Sequence, residues 1–140
     1  MTLYLDSSVL VAALVEDEPA HESCLKILRR KEVASWTHAL TEVFATLTGG
    51  RLGLRVPSAL AAELIDTSLV SRLRLLDLGA TEVSGAIRDA EVVGARGGAI
   101  FDFLHLIAAR RAAATTLYTL NMKHFVALAR KGDPKIERPE

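Results

Sequence analysis

The sequence predicts an α/β fold, a three-layer domain with a central, mainly parallel sheet of about four or five strands flanked by helices. Two observations carry this. Short apolar, β-branched runs alternate with helical patterns along the whole chain. A polar residue also stands where strand hands over to helix twice, at Asp6 and at Asn121. In a parallel sheet both would project at the carboxyl edge of the strands, where open α/β sheets bind ligands.

The elements follow in order. Leu3-Tyr4-Leu5 is a buried strand that reaches Asp6, and Val9 to Val15, rich in Ala and Leu, starts a helix. Glu16-Asp17-Glu18-Pro19 is a polar break, with Pro19 suited to the first turn of a helix over Ala20 to Arg30. Glu32 to Trp36 is a short strand. Thr37 is expected to cap a helix to about Thr48, which Gly49-Gly50 ends. Val56-Pro57-Ser58 opens another helix through Val70, expected to pair with the preceding one. The alternation of Arg72 to Leu76 suits an edge strand. A helix from about Thr81 to Ala95 leads to a glycine-rich break, and Ala99 to Ala114 forms a helix apolar nearly all round at its start, hence buried. Thr115 to Thr119 is a strand, Asn121 to Lys131 a last helix, and Lys135-Ile136-Glu137 a short edge strand.

At 140 residues the chain is expected to be one domain over 1–140, and with 50% apolar residues it can build a proper core. No apolar stretch approaches the roughly 20 residues of a membrane span. The N-terminal run carries Asp6 and no preceding basic residue, unlike a signal peptide. A single cysteine, Cys24, excludes an intrachain disulfide and fits a reducing, cytoplasmic setting. The 17 basic residues balance the 17 acidic ones, so global charge neither supports nor excludes a polyanionic substrate. Local basic pairs such as Arg110-Arg111 read as solvated helix ends and loops.

Three acids draw the functional reading. Glu42 lies almost opposite the Leu40-Val43-Phe44-Leu47 stripe of its helix, yet among Ala39, Ala45, Thr46 and Gly49 rather than lysines and glutamates. Such a face fits close approach by another element or a ligand as well as it fits plain solvation. Asp102 is the only acid in its apolar helix. A first-turn acid meets the helix dipole favourably, but that does not explain a charge amid Ile100, Phe101, Phe103 and Leu104, because a buried carboxylate is costly unless paired or metal-bound. His105, one turn on, reads as a hydrogen-bonded packing histidine rather than a ligand. Asn121 can cap the last helix and Thr119 can simply end its strand. Hard oxygen groups gathered at one edge without a His/Cys cluster argue for Mg²⁺, with Mn²⁺ as a substitute, and against zinc; such sites serve phosphate chemistry.

Leu5-Asp6-Ser7-Ser8-Val9-Leu10, Leu40-Thr41-Glu42-Val43, Ala99-Ile100-Phe101-Asp102-Phe103-Leu104-His105-Leu106-Ile107-Ala108 and Tyr118-Thr119-Leu120-Asn121 together resemble the PIN-domain nucleases, specifically the VapC-type toxins of type II toxin–antitoxin pairs. The resemblance covers essentially the whole chain and implies a PIN-like fold and a metal-dependent endoribonuclease cutting single-stranded or loop RNA. It makes Asp6 and Asp102 metal ligands, Glu42 a member of the acidic cluster directly or through water, and Ser8 and Thr119 supporting hydroxyls. The family's fourth acidic position falls on Asn121, a neutral oxygen donor, which favours one metal over two. The resemblance further implies a homodimer neutralised by a cognate VapB-type antitoxin, with the region from Arg51 to Val70 as a contact candidate. Arg51, Lys123 and His124 are candidates for holding RNA phosphates, contacts that position a strand without reading it.

Two rival readings stand beside this one. A PIN-fold module that binds RNA or a partner but cleaves weakly is favoured by Asn121. An aspartyl-phosphate phosphotransfer domain would use Asp6 as nucleophile, but Asp6-Ser7-Ser8 lacks a second acid two residues on, and no acidic pair precedes Asp6. A dinucleotide-binding reading fails because Gly49-Gly50-Arg51-Leu52-Gly53 follows a helix, not a strand.

Overall fold

In a computed structural model describing residues 1–50, 53 and 55–140, five parallel strands form one sheet in the order β3-β2-β1-β4-β5. They are β1 (Thr2–Leu5), β2 (Val33–Trp36), β3 (Arg74–Leu76), β4 (Ala114–Tyr118) and β5 (Lys135–Glu137). The helices are α1 (Ser7–Leu14), α2 (His21–Leu28), α3 (Thr37–Thr48), α4 (Ser58–Ile65), α5 (Ala80–Val93), α6 (Ala99–Arg111) and α7 (Met122–Leu128). α4 continues into a π-helical turn, Asp66–Val70. The expected edge strands are edges, and the sheet is wholly parallel.

The topology places the site. From β1 the chain moves outward through β2 to β3, then crosses back to β4 on the other side of β1 and continues to β5. With right-handed crossovers, helices linking strands in opposite directions cover opposite faces. The direction reverses between β1 and β4, so their carboxyl ends open a crevice at the switch point. Asp6 follows β1, and Thr119 to Asn121 follow β4, at that crevice.

Burial explains the apolar runs. Every residue of β2 is buried, as are Leu3, Tyr4 and Leu5 in β1, because both faces of the central strands are covered. Val9 to Ala13 bury nearly the whole of α1, which packs on α2 and α3. Phe103, Leu104 and Leu106 seat α6 against the sheet, where it touches β2 and β4. No helix among the described residues is long and apolar enough to cross a membrane.

Several boundaries differ from the sequence reading, among them three helix termini. Thr37 is the first residue of α3 and Trp36 occupies the cap position without a side-chain cap bond; α3 begins directly off the end of β2, leaving no loop residue for a hydroxyl cap. α6 stops at Arg111, short of Ala114, because Ala113 takes a left-handed conformation (φ 55°) and turns the chain into β4. Last, α7 ends at Leu128 rather than Lys131.

Candidate functional site

Asp6 is the N-cap of α1, and its carboxylate is enclosed by donors. Oδ1 accepts from Ser8 Oγ at 2.6 Å and from the Val9 N–H at 3.1 Å; Oδ2 accepts from Thr119 Oγ1 at 2.6 Å. Ser8 Oγ in turn accepts from the Leu120 N–H at 3.0 Å, and Thr119 Oγ1 from the Asn121 N–H at 2.9 Å. Both hydroxyls therefore clamp the β1–α1 turn to the β4–α7 turn. Asp6 is 2% exposed, and burial pushes its carboxyl above the ordinary value despite the charge of His105 and these three donors.

Glu42 is half-buried, on the face of α3 that meets His105. His105 Nε2 stands 3.1 Å from Oε1 and His38 Nδ1 3.3 Å, while Ser7 Oγ donates to Oε2 at 3.2 Å. Burial pushes this carboxyl up, but the hydrogen bonds and charges of His105 and then His38 outweigh it, leaving Glu42 below its ordinary value. The small-residue face noted in the sequence is thus where His105 of α6 approaches. His105 itself is fully buried and its Nδ1 lies 2.8 Å from Tyr4 Oη. Burial holds the Tyr4 phenol well above its usual value, so it stays protonated where it faces Nδ1, while Nε2 faces Glu42. The packing histidine of the sequence reading is hydrogen-bonded as expected, and it is also a member of the acid cluster.

Asp102 sits in the first turn of α6, half-buried, with His124 Nδ1 3.5 Å from Oδ2. Burial raises its carboxyl; His105 and His124 pull it down, while Asp6 and Glu42 push it further up. Ser7, next to Asp6, and His105, one turn on from Asp102, both reach Glu42, and Asp102 feels the charges of Asp6 and Glu42, so the three acids share one neighbourhood. Asn121 is exposed at the rim, the N-cap of α7 without a side-chain cap bond. Lys123 is exposed on the first turn of α7. Arg51 lies outside the described residues.

Cation chemistry fits the donor set. No three His, Cys, Asp or Glu side chains among the described residues form a ready-made chelate. Mg²⁺ does not require one: it keeps several waters and takes one or two carboxylates plus substrate phosphate. On Asp6, Oδ1 already receives two protein donors, whereas Oδ2 receives only Thr119, which leaves it an acceptor position. Asp102 is pushed up by neighbouring negative charge that a cation would relieve. Glu42 Oε1 is already engaged by two imidazoles.

Sequence reasoning missed Tyr4, Ser7 and His38 as parts of this constellation. It also missed a cleft of about 520 Å³ beside the β4–α7 turn, where Lys26, Arg30 and Arg138 face Glu137 and Glu140. Arg138 Nη1 donates to the Leu120 carbonyl there at 3.2 Å. Ser7 lies in the Leu5–Leu10 motif without a role assigned to it there, and Tyr4, His38, Lys26, Arg30 and Arg138 lie in none of the motifs. Cys24 is buried and its thiol is pushed up to about 11, first by burial and then by the Asp6 charge, so it is inert.

The PIN domain family model matches residues 3–131. No curated protein sequence matches the chain. Among solved structures it is similar to the sarcin-ricin loop cleaving toxin VapC20 of Mycobacterium tuberculosis, with a TM-score of 0.72, 17% identity, and 95% of this chain and 100% of that one covered. It is also similar to a chain of VapBC2 from Rickettsia felis bound to a promoter DNA fragment (0.69, 20%, 100% of both chains). A third is FitAcB from Neisseria gonorrhoeae (0.66, 16%, 96% of both). At these identities the likeness concerns the fold.

Proposed function

Because the chain belongs to the PIN-domain family, we propose that it is a divalent-metal-dependent endoribonuclease, the toxin of a VapBC-type toxin–antitoxin pair acting in the cytoplasm. The observation that supports this reading is Asp6 clamped by two hydroxyls at the β1/β4 switch point, beside a Glu42 that both Ser7 of the same turn and His105 of the Asp102 helix contact. Asp6 and Asp102 would hold Mg²⁺, for which Mn²⁺ would substitute, and Asn121 would offer a neutral oxygen at the rim. When bound, the cation neutralises phosphate charge and lowers the pKa of a water that attacks in line. Glu42, kept ionised by His105 and His38, is a poor base but a persistent acceptor: it takes a hydrogen bond from the attacking water and orients it. Ser8 and Thr119 fix the Asp6 carboxylate so that it need not reorganise during the reaction. Lys123, His124 and Arg51 hold flanking phosphates.

RNA cleavage with Mg²⁺ tests the mechanism. Asp6→Asn and Asp102→Asn are each expected to lose at least ~100-fold in kcat/KM. Undiminished cleavage in both would sink it. The reading includes a homodimer and a VapB-type antitoxin, the latter supported by the likeness in fold to a chain of VapBC2. Growth arrest on expression, relieved by Asp6→Ala or by co-expressing a small DNA-binding protein encoded next to the chain, checks that assignment. A weakly catalytic binding module is the second reading, favoured by Asn121 and by the lack of a three-residue chelate among the described residues. Calorimetry separates the two: RNA bound without Mg²⁺ uptake supports the module.

A further inference from the structure

Phe101 precedes Asp102 in the first turn of α6 and is 43% exposed, an unusual position for a large apolar ring beside a charged site. It is not loose. Its ring lies parallel to that of His38, with an interplanar angle of 8° and centroids 5.3 Å apart. His38 in turn lies 5.2 Å from Trp36, tilted by 31°, and Trp36 meets His105 edge-on at 6.2 Å. A series of rings therefore climbs from the buried His105 to the surface and ends on Phe101. The same rings serve the acids: His38 and His105 both contact Glu42. Val92 and Val126 are also exposed, but neither is held by a stack.

An exposed aromatic face, prealigned by a stacked neighbour and joined through its helix to Asp102 of the proposed cation site, has the chemistry that takes an unpaired nucleobase. Base–aromatic stacking is tolerant of sequence because every base has a π-face, and it requires the base to leave its duplex partner. We propose that Phe101 is a stacking platform for one unpaired base of the substrate RNA, which extends the Trp36–His38–Phe101 series by one ring while a neighbouring phosphate lies at Asp6 and Asp102. The inference rests on the ribonuclease reading and deepens it: the site selects single-stranded or splayed RNA through this ring, and the acids themselves do not discriminate. Another occupant of the same ring, a second copy of this chain, is separated by the test.

The probes are a mixed-sequence single-stranded oligoribonucleotide, its abasic counterpart, and a version carrying 2-aminopurine, whose fluorescence falls on stacking. Phe101→Leu keeps the apolar bulk and removes the π-face; Phe101→Trp restores one. Phe101→Leu is expected to raise KM for cleavage about tenfold with kcat within about twofold, and Phe101→Trp to recover the wild-type KM. Without divalent metal, the wild type and Phe101→Trp should bind and quench the 2-aminopurine strand, Phe101→Leu should quench little, and all three should bind the abasic strand equally. Quenching and KM unchanged in Phe101→Leu overturn the platform, and so does a Phe101→Leu protein that quenches normally but changes its sedimentation, which assigns the ring to contact between copies. If the wild type cleaves RNA but Phe101 is indifferent, only the platform falls. If the wild type neither binds nor cleaves RNA, the ribonuclease reading falls with it.

Discussion

Burial raises the Asp102 carboxyl, and Asp6 and Glu42 add to it, whereas two imidazoles more than cancel burial at Glu42. Stability therefore depends on these two acids with opposite sign. For Asp102 the folded value is the higher one. Its contribution is fully present below the unfolded value of about 3.9 and is lost as pH rises through the folded value. Asp102→Asn cannot ionise, so in EDTA it should melt above the wild type at pH 7, the gain vanishing below about pH 4. For Glu42 the folded value is the lower one, so its contribution is present above about pH 4.3 and lost as pH falls through the folded value. Glu42→Gln should accordingly melt below the wild type at neutral pH. Melting curves across pH check both signs at once. Tyr4→Phe leaves His105 Nδ1 without its hydrogen-bond partner in a buried site and should cost about 1–3 kcal/mol in urea unfolding, with reduced cleavage. Trp36 carries the buried side-chain polar atom without a partner among the described residues, Nε1, although its ring is packed against His38 and His105. Its indole is retained for packing rather than for hydrogen bonding.

Elements end here by two kinds of signal. α5 ends on Gly94 in the left-handed region (φ 76°), its N–H returned to the Ala90 and Glu91 carbonyls, and the glycine announces that stop in the sequence. α6 ends just before Ala113 at φ 55°, where no glycine announces anything. Gly94→Ala meets no neighbour within 4 Å, so its cost is backbone strain alone. It should destabilise the protein by about 1 kcal/mol in urea unfolding, with an unchanged m-value and unchanged cleavage. α3 shows why Glu42 was ambiguous by itself. The helical wheel placed it off the Leu40-Val43-Phe44-Leu47 stripe, of which Val43 and Leu47 are buried and Leu40 and Phe44 half-buried, while Ala39 on the Glu42 side is buried too. What faces it is a histidine supplied by α6, beyond the reach of any local pattern.

Across the molecule, the order β3-β2-β1-β4-β5 brings residues from both ends of the chain into one crevice. The clamp between the β1–α1 and β4–α7 turns joins Asp6 to Thr119 and Ser8 to Leu120. Cation binding at such a clamp couples to global stability, because the unfolded chain has no assembled site. Mg²⁺ at ten times its Kd should stabilise the wild type by about 1.4 kcal/mol at pH 7. The shift should shrink as pH falls, because protons compete for the raised carboxyls of Asp6 and Asp102 sooner than for ordinary ones, and it should be absent in Asp102→Asn. Differential scanning fluorimetry with and without Mg²⁺ measures it. A full shift in Asp102→Asn would place the ion elsewhere.

Apolar periodicity by itself determined the alternation of strands and helices, since β1, β2 and α6 must be covered and their residue patterns say so without reference to neighbours. It also marked Asp6 and Asn121 as strand-to-helix handovers, a local property of the chain. Only the tertiary structure decided what surrounds the acids Asp6, Glu42 and Asp102. That Tyr4 and His105 would form one hydrogen-bonded chain with Glu42, that His38 would stack under Phe101, and that Ser8 would bond to Leu120 depends on contacts between segments far apart in sequence. Hydroxyls, imidazoles and phenols have no periodicity that betrays their partners. Their pairings are set by which strand ends the topology makes adjacent, and the reversal between β1 and β4 makes these ones meet.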